Sequence, residues 1–111
     1  MKVPLVAAAV LISFIVDGAS AASLLSEQQA RAQAIAILKG DPYGTTSAQV
    51  AANIKQAQLI QDGHSRACGE PRNMLWEFHV IARTTERRID GYLALDARSG
   101  ELVCTNLPLL D

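Results

Sequence analysis

The chain has 111 residues, of which 10 are basic and 11 acidic, and a formal net charge of −1 at pH 7. A length of this order supports one domain. Proteins that bind nucleic acid through electrostatics carry a clustered excess of Lys and Arg. The composition therefore predicts a single small domain without a nucleic-acid partner.

The first residues have the three parts of a secretory signal. Lys2 is followed by an apolar run at residues 3–16, and small residues precede a cleavage point between Ala21 and Ala22. The run is shorter than the ~20 apolar residues that cross a bilayer. We therefore predict a signal peptide at residues 1–21, with no stable membrane insertion after cleavage. An uncleaved N-terminal anchor is the alternative.

Cleavage would leave 90 of the 111 residues, the predicted domain at 22–111. Its two cysteines, Cys68 and Cys104, are predicted to form a disulfide, because exported chains meet an oxidising compartment. They lack the paired spacing of a zinc site, and no base marks a catalytic thiolate. The predicted localisation is periplasmic or secreted.

The first half of this domain has helical signals. Ser26 and Gln29 have the spacing of a capping box, and apolar residues then recur at helical spacing as far as a terminating Gly40. Residues 40–44 contain proline and predict a turn. A second helix is predicted from Thr46 or Ser47 as far as residue 61. Its apolar stripe would be Val50, Ile54, Ala57 and Ile60.

The second half alternates with the period of β-strands. Strands are predicted at 75–83, 88–96 and 101–105, with a polar loop before them and a hairpin loop at 96–100 in which Gly100 suits a left-handed position. The predicted fold class is therefore α+β, with two N-terminal helices packed on a three-stranded antiparallel sheet after a cleaved signal peptide.

Two segments of the strand half resemble a known family. Trp76, Phe78 and Val80 alternate along the first strand, and the run GYLALDARSGE at residues 91–101 gives a strand, a small-residue turn with glycine and a returning strand. This resembles the PepSY family of small exported bacterial domains, which also occurs in propeptides of thermolysin-type metallopeptidases. The resemblance implies a non-catalytic module without a cofactor, which restrains a peptidase or contacts an envelope protein.

Three arginines, Arg83, Arg87 and Arg88, flank the connection between the first two predicted strands. Charges at strand ends commonly solvate and protect a sheet edge. The alternative is a contact with an acidic protein partner in the cell envelope, since the guanidinium group presents a planar fork to carboxylates. A small-molecule or envelope-ligand binder, with a pocket between the helices and the sheet, is a second hypothesis.

Catalytic and metal-binding functions have weaker support. Glu77 and His79 share a predicted strand face, and with His64 they could in principle hold a metal ion, although their spacing matches no metal motif. An ion pair or hydrogen bond between Glu77 and His79 is the simpler alternative. No nucleophile motif of a hydrolase is present, so a small hydrolase is the least favoured hypothesis.

Overall fold

The computed structural model describes residues 23–61, 63–70 and 73–108. The predicted signal peptide and its cleavage point at Ala21 and Ala22 lie outside these residues. Within them, no helix is long and apolar enough to cross a membrane. The chain is α+β, with two helices followed by a four-stranded antiparallel sheet.

Helix α1 spans Glu27–Leu38 and begins at the predicted capping box. The Ser26 hydroxyl accepts a hydrogen bond from the Gln29 amide at 3.1 Å, and the Gln29 side chain accepts one from the Ser26 amide at 2.9 Å. Each group satisfies a backbone donor that the first helical turn leaves without a partner. The buried side of α1 consists of Ala30, Ala34 and Leu38.

Helix α2 spans Ser47–Asn53 and follows the predicted turn at residues 40–44. The turn is closed by paired backbone hydrogen bonds between Gly40 and Gly44. Gly44 has a φ of +134°, and a Cβ there would lie 2.9 Å from the Val50 amide nitrogen, so the turn packs on α2 only with glycine at this position. The second capping box, with Thr46 as N-cap, fixes the start of α2 where the sequence predicts it.

The prediction that this helix continues to residue 61 is wrong. Residues from Ile54 to Ile60 form strand β1 instead, which makes the sheet four-stranded rather than three-stranded. Alanine and glutamine favour a helix locally, but pairing with the neighbouring strand buries Ile54 and Ile60 and places Ala57 beside Phe78. Burial against a neighbouring strand outweighs a propensity difference of a few tenths of a kcal/mol per residue.

The other strands follow their predictions closely. They are β2 at Leu75–Arg83, β3 at Arg88–Asp96 and β4 at Leu102–Thr105, and the spatial order is β1-β2-β3-β4. The hairpin between β3 and β4 is stabilised by the Asp96 carboxylate, which accepts hydrogen bonds from the backbone amides of Arg98 and Ser99. These bonds lower the pKa of Asp96. Gly100 has the left-handed φ of +81° that the turn needs.

The main core lies between the helices and one face of the sheet. On that face, Phe78 is paired with Leu93 and Trp76 with Leu95. The core residues on this side are almost completely buried. They include Ala30, Ala34, Leu38, Tyr43, Val50, Phe78, Val80, Leu93 and Leu95. The opposite face carries Glu77, His79 and Tyr92 instead. Polar and titratable groups of the sheet are therefore concentrated on the face that the helices leave uncovered.

The predicted disulfide is confirmed. Cys68 and Cys104 are bonded, with their Cα atoms 5.3 Å apart. The bond links the loop before β2 to the last strand. The disulfide lies over one end of the sheet face that the helices do not cover. Ile60, Leu75 and Ala94 form a second small core there.

Candidate functional site

The turn between β2 and β3 brings two of the predicted arginines together. Arg83 ends β2 and is the cross-strand partner of Arg88 at the start of β3. The turn between them is closed by a backbone hydrogen bond of 2.9 Å from the Thr84 amide to the Arg87 carbonyl. The Thr84 hydroxyl also accepts hydrogen bonds from the amides of Glu86 and Arg87. Arg83 and Arg88 therefore lie side by side at one end of the sheet.

A cavity of about 350 Å³ opens beside these two arginines, and we call it the basic cavity. Its lining consists of Asn53, Lys55, Ile81, Arg83 and Arg88. Three elements meet there, because α2 ends at Asn53, β1 begins directly after it and the β2–β3 turn lies alongside. The cavity thus combines three cationic side chains with one amide.

A second cavity, of about 500 Å³, adjoins the first and shares Asn53 and Arg83 with it. It runs between the turn at residues 40–44 and α2, where Thr45 and Gln49 contribute polar groups. Arg87, the third predicted contact residue, lines neither cavity. The structure therefore places Arg83 at the junction of both cavities and Arg87 outside them.

The cations of the basic cavity have little compensating charge. The Arg83 side chain makes no ion pair in the described part of the chain, and the Lys55 ammonium donates to the Ala52 carbonyl at 2.8 Å rather than to a carboxylate. Arg88 lies 3.4 Å from Asp90, whose other oxygen is 2.6 Å from His79. One carboxylate thus serves two groups. The lining of the basic cavity itself has three cations and no carboxylate, while Asp41 lines the adjoining cavity together with Arg83.

The neighbouring cluster on the uncovered face is internally satisfied. The His79 ring stacks on Tyr92 with centroids 4.6 Å apart, and the Arg66 guanidinium lies over Tyr92 and donates to its hydroxyl at 3.0 Å. The hydrogen bond with His79 lowers the pKa of Asp90, and the positive charge of Arg88 acts in the same direction. This chain of contacts fixes the side chains next to the basic cavity.

The expected pairing of Glu77 with His79 does not form. The buried carboxylate of Glu77 instead accepts hydrogen bonds from the Ser65 hydroxyl and, at 3.1 Å, from the Ala67 amide. His64 is exposed in the loop. Among residues 23–61, 63–70 and 73–108, no three His, Cys, Asp or Glu side chains are close enough together to hold a metal ion.

Replacing Glu77 should therefore loosen the loop that carries Cys68. We expect Glu77→Ala to reduce the free energy of unfolding by about 1–3 kcal/mol, because the buried Ser65 hydroxyl and the Ala67 amide lose their acceptor. Glu77→Gln is the matched control, since it keeps an acceptor oxygen in nearly the same volume. Urea unfolding measures both. An equal loss for the two variants would show that the hydrogen-bond acceptor is not the cause.

Lys55 is the functional candidate that sequence reasoning missed. The sequence pattern predicts a helix at this position, and nothing in a helix relates Lys55 to Arg83 and Arg88. The register of β1 against β2 places it at their end of the sheet. The signal available in the sequence was the alternation of the polar Gln56 and Gln58 with the apolar Ala57, which has the period of a strand. The structure shows the same alternation, with the two glutamines exposed and Ala57 more buried.

Comparisons with known proteins add no family or relative. No protein-family model matches the chain, and no curated protein or solved structure is a match to it. The resemblance to PepSY domains therefore stays a prediction from the sequence.

Proposed function

We propose that this chain is an exported, non-catalytic, PepSY-like module that binds a protein of the cell envelope through the basic cavity. The observation that supports the proposal is the convergence of Lys55, Arg83 and Arg88 on one cavity whose lining has no carboxylate, with Arg88 alone of the three paired with an acidic side chain among the described residues. Like charges held together without counter-charge repel one another, and an acidic partner group relieves that repulsion. Restraint of a peptidase is the specific role that the family resemblance implies.

The location of the covalent staple agrees with this proposal. Disulfides form and persist in oxidising compartments such as the periplasm or the extracellular space, so the bond between Cys68 and Cys104 supports the proposed export. It lies on the loop and on β4, whereas the basic cavity involves β1 and the β2–β3 turn. Stability and partner contact can therefore be tested with separate substitutions.

The proposal predicts that partner capture depends on position as well as on charge. Immobilised wild-type domain should recover its partner from an envelope extract. Arg83→Ser, Arg88→Ser and their combination should reduce that recovery, by about fivefold for the double variant at low salt. Charges at an interface rim act mainly on association rate and salt dependence, so the difference should shrink as salt rises and the screening length falls.

Arg98→Ser is the matched control for charge, because Arg98 lies in the β3–β4 hairpin at the opposite end of the sheet. It removes the same charge as Arg83→Ser but should leave recovery unchanged. Arg87→Ser should have a smaller effect than either cavity arginine. Equal recovery by wild type and the Arg83→Ser/Arg88→Ser variant at low salt would contradict the proposed contact.

The adjoining cavity of about 500 Å³ favours a second candidate function, a binder of a small envelope ligand. Its volume is within the range of roughly 300–1,000 Å³ found for ligand sites, and it lies between the turn at residues 40–44 and α2, with Arg83 at its end. Native mass spectrometry of the exported protein distinguishes the two functions. A small-ligand binder would retain an added mass, whereas a protein-binding module would show the mass of the chain alone.

A further inference from the structure

Strand β1 forms one edge of the sheet, and no other strand of the described residues pairs with its outer side. Its neighbour in the sheet is β2. Apart from the hydrogen bonds with β2, residues 56–60 make no backbone–backbone hydrogen bond in the described part of the chain. Gln56 and Gln58 are exposed along this edge. Residues in a strand direct their backbone groups alternately to either side, so some backbone groups of β1 face outward and are able to pair with another strand.

The other edge is less suited to such pairing. Strand β4 has four residues, against seven in β1, and its ladder with β3 is interrupted between Ala94 and Leu95. Past β4, Asn106 stays beside β3, since its amide donates a hydrogen bond to the Tyr92 carbonyl at 3.1 Å and its side chain accepts one from the Tyr92 amide at 2.6 Å. Of the two edges, β1 is the longer.

One end of β1 carries the features that usually prevent strand addition. The register shifts between Ile54 and Gln56, so that Lys55 is the extra residue of a bulge. Bulges and edge lysines both discourage pairing with other chains. The remaining residues, 56–60, pair regularly with β2 and carry no charge. The protection is thus confined to the end that opens onto the basic cavity.

We infer that β1 is a docking edge for an extended acidic peptide segment of the partner, which adds as a fifth strand along residues 56–60. A carboxylate at the end of that segment enters the basic cavity between Lys55, Arg83 and Arg88. The inference rests on the proposed function and specifies the kind of partner segment that docks. The same lysine discourages pairing with a neutral or basic strand, because its charge would lose water without gaining an opposite charge, and it pairs with an acidic one. This difference makes the edge selective.

A synthetic peptide tests this inference directly with the full exported domain. The probe is a fluorescent peptide of alternating threonine and valine, long enough to span residues 56–60 and ending in two aspartates. We expect it to bind with a rise in fluorescence anisotropy. The same peptide with asparagine in place of aspartate should bind about tenfold more weakly at low salt, since it lacks the charge-assisted contacts.

A second peptide separates strand addition from simple charge attraction. It keeps both aspartates, but alternate backbone amides are N-methylated on the edge that would face β1, so it cannot form a ladder. We expect it not to bind, and we expect the parent peptide alone to slow amide hydrogen exchange in residues 56–60. Arg98→Ser serves as the charge control and should bind the parent peptide as wild type does.

Equal binding of the methylated and parent peptides, or binding that leaves exchange in residues 56–60 unchanged, would overturn strand addition. Failure of the parent peptide to bind would overturn it as well. None of these three results bears on the recovery experiment with Arg83→Ser and Arg88→Ser, which tests the proposed function by itself. Strand addition can therefore fail while the proposed function stands, and the two failures are distinguishable.

Discussion

Reduction of the Cys68–Cys104 disulfide is expected to lower the free energy of unfolding by about 4 kcal/mol. The bond joins residues 36 apart in sequence, and chain entropy assigns a loop of that size roughly this stabilisation. Domains of this size are stable by only about 5–15 kcal/mol. The melting temperature should accordingly fall by roughly 15–30 °C, given about 4–8 °C per kcal/mol in a small domain.

The measurement is thermal unfolding followed by circular dichroism, with and without a thiol reductant. The double variant Cys68→Ala/Cys104→Ala is the matched comparison, because it removes the bond without leaving a free thiol. Its melting temperature should agree with that of the reduced wild type. Two freely alkylated thiols in the native protein, or a melting temperature insensitive to reductant, would show that the disulfide does not stabilise the domain.

The second large loss of stability is expected from a substitution at the centre of the sheet. Phe78→Ala should cost about 3–5 kcal/mol, the usual loss when a fully buried aromatic side chain is truncated. Phe78 is 0% exposed and lies between Ala57 of β1 and Leu93 of β3 on the face covered by the helices. Small neighbours such as Ala30 and Ala34 leave little side chain to fill the cavity that the substitution creates.

His79→Ala is the control, since His79 is the next residue of the same strand and points to the uncovered face. It should cost about 1 kcal/mol or less, because the residue is only partly buried and its contacts are with the exposed Asp90 and the partly buried Tyr92. Urea unfolding measures both variants, and the comparison holds when the free energy of unfolding falls with urea concentration at similar slopes. Similar losses for the two would contradict the assignment of the covered and uncovered faces.

Both predictions draw on features that the sequence already determines. The capping boxes at Ser26 and Thr46 join groups only three residues apart, so the helix starts follow from local chemistry. The alternation in β2 and β3 is likewise local, and the period of two by itself assigns Phe78 and His79 to opposite faces of the sheet. The disulfide follows from two cysteines in a chain that the sequence predicts to be exported.

Tertiary structure alone decided the rest. Residues 54–60 have a composition that suits a helix, and only pairing with β2 makes them a strand. The partners of Glu77 and the site of Lys55 depend on which loop covers which strand, and on how β1 is registered against β2. Such contacts join residues distant in sequence, and a strand shifted by one residue would turn every side chain to the other face. Local chemistry therefore predicts where elements begin and which faces are apolar, while the site where Lys55 meets Arg83 and Arg88 exists only in the folded sheet.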